Sequence, residues 1–491
     1  MHLNLFAVAA SLIGPQSAPT ASAPPPNIVF ILADDHATNA LGCYGSPVAH
    51  TPNLDRLAAE GMRFERFACG NAICSPSRAS MLTGVHSHVH GVVDNVKPLD
   101  GAQPNFPKQL QAADYRTALF GKWHLHAAPT GFDTWDVLPE QGVYYDPKLR
   151  NAQGEHATTG YVTEVLTDLA LSWLDKRDVS KPFLLCLHHK APHRSWLPGP
   201  SEFALYRDEA LPEPATLFDD YATRARGAGE AEMTVARHLT DYDLKLGDAP
   251  KLAPAALAAW RECYDAENAA LRASKLEGAA RTRWNHQRFV KDYLRCIAGI
   301  DASVGRVLAY LDAHDLARYT LVVYVSDQGF FLGEHGWYDK RWMYEEALLA
   351  PLIVRWPGVV APGSVERHLA QNIDIAPTLI ECARAAPIER AQGLSLVPLL
   401  RGAVPADWRT SIYYRYYEFP VDHRVQPHYG VRTDNAKLIY FPQLDRWEMY
   451  DLERDPHELV NLAGVDEHKE LRAKLEAELT ALRTRYGDST R

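Results

Sequence analysis

Asn27-Ile28-Val29-Phe30-Ile31-Leu32-Ala33-Asp34-Asp35 sets the reading of the whole chain. Residues 28–32 form an unbroken apolar run without polar alternation, the pattern of a strand buried on both faces. Two carboxylates follow at once, so Asp34 and Asp35 open the loop that leaves the strand. Similar runs at 117–120, 183–187 and 321–325 also lead into polar loops. Helical patterns separate them. Thr51 is a candidate N-cap, with Pro52 in the first helical position and Gly61 as the stop. Val290, Leu294, Ile297, Val304, Leu308 and Leu311 mark a long amphipathic helix suited to cover a sheet face. Strands alternating with helices predict an α/β protein with a largely buried sheet.

Composition narrows the function. The 491 residues include 51 Lys and Arg against 61 Asp and Glu, a formal charge of −10. That balance gives no global positive field for nucleic acid, so any positive site for an anionic substrate must be local. Seven cysteines, an odd number without a C-x-x-C pair, argue against a zinc ribbon or a dense disulfide framework. Residues 1–23 read as a signal peptide: an apolar stretch over 3–13, then Ala21-Ser22-Ala23 as the cleavage site, although His2 replaces the usual basic residue. The expected location is secreted or periplasmic. No later stretch approaches 18 uninterrupted apolar residues, so no transmembrane segment is expected after it. Residues 202–283, rich in Ala and charge, read as a helical insertion. Past 402 the texture changes to Tyr-rich alternating segments at 411–417 and 437–441, then a helix marked by Leu471, Leu475, Leu479 and Leu482. The expected organisation is a catalytic domain over 27–402 and a C-terminal subdomain over 403–491, a small antiparallel sheet plus one helix.

The sharpest chemical signal is Cys74-Ser75-Pro76-Ser77-Arg78-Ala79-Ser80-Met81-Leu82-Thr83-Gly84. Ser75 can cap a helix, Pro76 can open it and Gly84 can end it. Cys74 then stands at a helix N-terminus beside Arg78, a place that favours anions. Asp327 and Gln328 follow the strand at 321–325 as Asp34 and Asp35 follow theirs. Either pair alone reads as solvated loop carboxylates, the better reading for Asp34 and Asp35 in isolation; brought together, the two strand ends offer four oxygen ligands to a hard cation.

The Cys74 segment matches, at every fixed position, the C-x-P-S-R-x-x-x-L-T-G signature of type I sulfatases, in which the Cys is oxidised to formylglycine. The chain resembles that family in order through Thr51-Pro52-Asn53-Leu54-Asp55-Arg56-Leu57, Gly121-Lys122-Trp123-His124, Ala191-Pro192-His193, Ser326-Asp327-Gln328-Gly329, and Gly333-Glu334-His335-Gly336 ahead of Asp339-Lys340. The resemblance implies an alkaline-phosphatase-like fold, with a large mixed, mostly parallel sheet sandwiched by helices. It implies one divalent cation, calcium or magnesium, on Asp34, Asp35, Cys74, Asp327 and Gln328; many relatives carry Asn where Gln328 stands. It implies maturation by a formylglycine-generating enzyme. The hydrated aldehyde made from Cys74 would attack sulfur and expel the alcohol. Arg78 and Lys122 would hold the diol and sulfate oxygens, and His124 would strip the second hydroxyl to eject sulfate. His193 and Lys340 match the sulfate-binding and leaving-group acid positions.

Within the family, several stretches look like bacterial N-acetylglucosamine-6-sulfatases: 130–135, 142–145, 188–193, 329–333 and 427–433. The implied substrate is the 6-O-sulfate of N-acetylglucosamine in mucin- or glycosaminoglycan-derived glycans. A sugar site needs ring faces and bidentate polar groups, for which Trp135, Trp196, His428 and Arg432 are the candidates. Two other readings stand beside it: a phosphodiesterase or phosphonate monoester hydrolase of the alkaline-phosphatase superfamily, and an inactive sugar-binding relative whose Cys74 is never oxidised. The sequence does not fix the oligomeric state.

Overall fold

The computed structural model describes residues 24–489; the expected signal peptide lies outside them. In chain order the strands of the central sheet are β1 (Asn27–Ala33), β2 (Met62–Phe64), β3 (Arg116–Lys122), β4 (Thr134–Leu138), β5 (Lys148–Asn151), β6 (Gly154–Ala157), β7 (Phe183–His188), β8 (Thr320–Ser326), β9 (Leu352–Arg355) and β10 (Ser364–Glu366). They lie side by side as β10-β2-β9-β8-β1-β7-β3-β4-β5-β6. The middle of the sheet is parallel, β1 pairing with β7 and β8 and β3 with β7 and β4, while β9, β5 and β6 run antiparallel to their neighbours. The expected large, mixed, mostly parallel sheet is what the chain forms.

The apolar run of β1 is central because both its faces are covered. Val29, Ile31 and Ala33 belong to one core, and Ile28, Phe30 and Leu32 to another. On the first side lie α3 (Val162–Lys176) and α5 (Gly278–Ala313), the long helix read from the sequence. On the second lie α2 (Cys74–Thr83) and α6 (Ile375–Ala383). At about 25 cal/mol per Å² of apolar surface, each such side chain stabilises the fold by roughly 1.5–3 kcal/mol, so a polar residue inside 28–33 would break the sheet.

Register then places the site. Ala33 pairs with Ser326, so Asp34 and Asp327 leave the sheet side by side. Leu32 and Gly121 both pair with His188, which brings Lys122 and the 189–193 loop to the same edge. Gly121 has φ +117°, and a Cβ there would stand 1.9 Å from the His188 carbonyl oxygen, so only glycine lets β3 approach β7 this closely.

Some local expectations need correction. Helix α2 begins at Cys74, with Ile73 in the N-cap position; Ser75 sits inside the first turn and does not cap. Gly84 does end α2, in the left-handed conformation at φ +72°. Thr51 precedes α1 (Pro52–Ala59), but its hydroxyl meets Asp55 and the Gly42 N–H instead of capping. The 202–283 insertion is helical mainly in its second half, in α4 (Pro254–Ser274) and the first turns of α5. Before that, Pro212 and Pro214 interrupt the chain, and Asp219, Asp220 and Asp243 take backbone N–H groups that a helix would otherwise use.

The C-terminal segment forms β11 (Ser411–Tyr416), β12 (His428–Thr433), β13 (Ala436–Phe441) and β14 (Arg446–Asp451), antiparallel in sequential order, with α7 (Lys469–Tyr486) on one face. Its other face, through Ile412, Tyr414, Ile439 and Phe441, joins the core around α5. The small sheet thus packs directly behind the loop that carries Lys340.

Candidate active site

Three carboxylates converge where β1 and β8 end. One oxygen each from Asp34, Asp35 and Asp327 lie within 4.8 Å of one another, and Cys74 Sγ and His193 form a second such group with Asp34. All three carboxylates are fully buried. An uncompensated charge there would cost several kcal/mol, so three cations meet them. Arg78 donates Nε–H to Asp327 Oδ2 at 3.0 Å and lies 3.4 Å from Asp34 Oδ1. Lys122 pairs with the other oxygen of Asp34, and Lys340 Nζ lies 2.6 Å from Asp35 Oδ2. The Asp35 N–H donates to Asp327 Oδ1 at 3.0 Å, tying the two strand ends together.

The charges sort these carboxyls. Burial opposes ionisation of Asp34, yet Lys122, His193, Arg78 and Lys340 outweigh it and hold the group well below the usual carboxylate range. Burial, followed by repulsion from Asp34, pushes Asp327 up; burial also raises Asp35 against the pull of Lys340. Carboxyls raised by crowding with like charge are the ones a cation relieves most. Asp34 Oδ1 and Gln328 Oε1 are buried without a hydrogen-bond partner. Two buried oxygens without a hydrogen bond, one of them ion-paired to Arg78, beside the other carboxylate oxygens are the donor set of a hard divalent cation, so the residues fit one. Gln328 Nε2 faces Asp35 and Cys74 Sγ, the latter at 3.7 Å, which leaves its carbonyl oxygen for the metal.

Cys74 heads the fully buried helix α2. Burial, reinforced by Asp34, pushes its thiol far above the usual value, so as a thiol it stays protonated and is a poor nucleophile. Around it, Arg78 is pinned by donation to the Lys122 carbonyl at 2.7 Å. Ser77 donates to the Asp327 carbonyl and accepts from Asn372 at 2.9 Å, locking α2 against the metal loop. His124 stands at φ +53°, its Nδ1 3.3 Å from the Ser75 hydroxyl, and burial with Lys122 lowers its pKa to about 2, so it is neutral. His193 Nδ1 lies 2.8 Å from the Arg194 carbonyl, which can only accept, so Nδ1 carries the proton and Nε2 faces the site 3.9 Å from Asp35. Every sequence-predicted catalytic and metal residue therefore lies at one end of the central strands.

The sugar candidates fare differently. Trp135, on β4, is half-buried and lines a cavity of about 260 Å³ shared with His124. Trp196 is fully buried between Phe289, Phe330 and Tyr338, with the Lys245 ammonium 5.8 Å from its ring centroid, so no face is open to a sugar. Arg432 is 4% exposed and spends its guanidinium on Glu345 and the Thr433 carbonyl. His428 is 1% exposed, boxed by Trp342, Tyr414, Tyr416 and Phe441. Trp196 and Arg432 are structural side chains, and His428 offers no open face.

Other residues at the site escaped sequence reasoning. Lys190 is buried, its ammonium 5.0 Å from the centroid of the Tyr144 ring, and burial with Lys122 lowers its pKa to about 8. Asp339 fixes the Lys340 loop: its Oδ1 lies 3.3 Å from Lys340 Nζ and 2.8 Å from Arg341 Nη1, while Oδ2 meets His423 at 2.9 Å. Asp339 and Arg341 both hold positive φ, +79° and +90°, on either side of Lys340. The charged run Asp339-Lys340-Arg341 was the available signal; its partner His423 lies 84 positions away and left none.

Comparison with known proteins gives the family. The family model described as sulfatase matches residues 26–385, and the model for the C-terminal region of N-sulphoglucosamine sulphohydrolase matches 333–485. The chain is 43% identical over 487 residues to an N-acetylglucosamine-6-O-sulfatase of Bacteroides thetaiotaomicron, covering 94% of this chain and 87% of that one. It is 27% identical to a multifunctional alkaline phosphatase superfamily protein of Trinickia caryophylli, over 89% and 91% of the two chains. A solved structure of a protein in complex with its substrate, D-glucosamine-2-N,6-O-disulfate, superimposes with a TM-score of 0.93 at 41% identity, covering 95% of this chain and 99% of that one. With its carboxylates, cations and Cys74 gathered at the end of a mostly parallel sheet, this chain is an enzyme that belongs to the sulfatase family.

Proposed function

We propose that the chain removes the 6-O-sulfate of N-acetylglucosamine in mucin- or glycosaminoglycan-derived glycans. In this reading Cys74 becomes formylglycine through a formylglycine-generating enzyme, and Asp34, Asp35, Asp327, Gln328 and the group made from Cys74 would hold one divalent cation, calcium or in its place magnesium. The observation that carries it is the burial of Cys74 against a carboxylate triad, with Arg78, Lys122, His124, His193 and Lys340 all converging there. A thiol that burial keeps protonated has no nucleophilic use; its aldehyde hydrate supplies a hydroxyl in the same place. When bound, the cation would neutralise charge on the sulfate and favour the ionised hydroxyl.

The protein's own groups do the rest. Arg78 and Lys122 set fixed positive charge beside Cys74, where the sulfate oxygens gain charge. His124, neutral because it is buried beside Lys122, can accept a proton from the hydrate. Lys340, kept charged against burial by Asp339 and Asp35, is the proton source for the departing alcohol oxygen. His193, with Nδ1–H held by a carbonyl, turns Nε2 into the site, where it donates to a sulfate oxygen once the ring takes up a second proton. Trp135, lining the cavity at His124, is the ring face proposed for the sugar.

The amino-sugar assignment rests on the 43% identity to an enzyme of that name. Purified protein is to be assayed on 6-sulfated N-acetylglucosamine, on 2-sulfated uronate disaccharides and on nitrophenyl sulfate; turnover confined to the uronate overturns it. A second reading, phosphodiester or phosphonate hydrolysis, draws on the likeness to the multifunctional relative. Against it as the main role, the two candidate ligand groups among the described residues share Asp34, which suits one ion, less neutralisation than a phosphate dianion wants. Competition of sulfate against phosphate esters at equal concentration separates the two. Residues 1–23 support export to the periplasm or outside. Among the described residues no helix is long and apolar enough to cross a membrane.

A further inference from the structure

The end of the central sheet opposite the carboxylates carries a cavity of about 900 Å³. Its walls come from the chain entering β1, the turn before β7, the approach to β8 and the turn after β9, all at the far end of the strands whose other ends hold Asp34 and Asp327. At about 3.3 Å per residue, the seven residues of β1 put roughly 20 Å between cavity and active site. It is a separate place.

Its lining departs from the character of the chain. In a protein of formal charge −10, four cationic side chains, Lys181, Arg318, Arg384 and Arg401, face one carboxylate, Glu381. Lys181 is offset by Asp114. Arg318 and Arg401 are exposed and form no ion pair among the described residues; Arg318 instead lies over the Tyr319 ring at 4.6 Å. Tyr319 is 51% exposed and Trp356 is partly buried, so both present ring surface to the cavity. Guanidinium groups suit sulfate oxygens bidentately, flat rings suit the apolar faces of sugars, and the volume is that of a small-ligand site.

We propose that this cavity is an accessory binding site for a sulfated glycan segment. Arg318 and Arg401 hold its sulfates, and Tyr319 and Trp356 hold its rings. Because the cavity and the catalytic edge lie at opposite ends of the sheet, the site anchors a polymer while the active site works on a different chain or chain end, which raises the local concentration of substrate. The inference rests on the sulfated-glycan reading of the active site for its choice of ligand, but not for its test.

The test compares the full wild-type chain with the Arg318→Ala/Arg401→Ala double variant, a Tyr319→Ala variant and a charge-keeping Arg318→Lys/Arg401→Lys control, using a heparin oligosaccharide and inorganic polyphosphate as calorimetric ligands. The double alanine variant is expected to bind the heparin oligosaccharide roughly tenfold more weakly, with the lysine control in between. Tyr319→Ala is expected to weaken heparin and leave polyphosphate unchanged. On 6-sulfated N-acetylglucosamine the variants keep kcat and KM; on a sulfated polymer KM rises roughly tenfold in the double alanine variant. Unchanged heparin affinity in that variant overturns the proposal, as does an equal loss for polyphosphate on Tyr319→Ala, which would mark a mere anion patch. Were the monosaccharide untouched by every protein, the activity reading would fail while the binding result would still stand.

Discussion

His335 ties the Lys340 loop to the protein through a buried charge away from the metal ligands. It is fully buried, with Nδ1 3.0 Å from Asp219 Oδ2 and Nε2 3.7 Å from Glu346 Oε2, and it belongs to the loop that runs on to Lys340. Burial disfavours its charged form, but the two carboxylates outweigh this and raise its pKa from 6.5 to about 9. Because the folded value exceeds the unfolded one, the stabilisation is fully present below pH 6.5 and disappears as pH rises through 9. A rise from 6.5 to about 9 corresponds to about 3 kcal/mol. His335→Gln keeps a hydrogen-bonding side chain of similar length but cannot hold the charge. Urea denaturation of both proteins at pH 6 and pH 9.5 is expected to show the variant less stable by about 3 kcal/mol at pH 6, with the gap largely closed at pH 9.5. A gap that stays the same at both pH values would refute the buried imidazolium and its role in holding the Lys340 loop.

The remaining predictions concern the site and its surroundings. Adding calcium to chelator-treated protein is expected to stabilise it by about 2.7 kcal/mol at a hundredfold excess over Kd, and Asp327→Asn is expected to lose most of that gain in a thermal melt; an equal gain in the variant would place the ion elsewhere. Trp196→Ala is expected to cost about 3–5 kcal/mol in stability, since it empties a fully buried aromatic site, whereas Trp135→Ala is expected to raise KM for the sulfated sugar with little change in the melt. Lys340→Met is expected to lower kcat roughly 10²–10⁴-fold on the amino-sugar sulfate and less on nitrophenyl sulfate, whose alcohol leaves without protonation; equal losses on both would exclude its role as acid.

How far the sequence could be read follows from the range of the interactions involved. The strand at 27–33 and the carboxylates after it were legible because parallel strands are apolar on both faces and ligand loops begin where the apolar run stops. Once Ala33 and Ser326 are in register, Asp34 and Asp327 must meet. Helix α7 was equally plain, since its leucine spacing is local. Burial of particular aromatic and basic side chains was not. Trp196 looks like a loop tryptophan until α5 supplies Phe289, and Arg432 looks like an exposed cation until Glu345, 87 positions away, claims it. The first half of the 202–283 segment misled for a related reason, because Ala and charge favour helix locally while Asp219 and Asp243 spend themselves on turns and on Arg224 and Arg194. The Lys340 loop depends on Asp339 and His423, a contact that no periodicity announces.

In the proposed reaction residue 74 acts as an aldehyde made from cysteine. The direct measurement takes preparations with differing degrees of conversion, determines by peptide mass spectrometry the fraction in which residue 74 is about 18 Da lighter, sulfur and two hydrogens having given way to one oxygen, and plots it against sulfate release from 6-sulfated N-acetylglucosamine. A line through the origin is expected. Turnover undiminished in protein whose residue 74 is entirely thiol would contradict it.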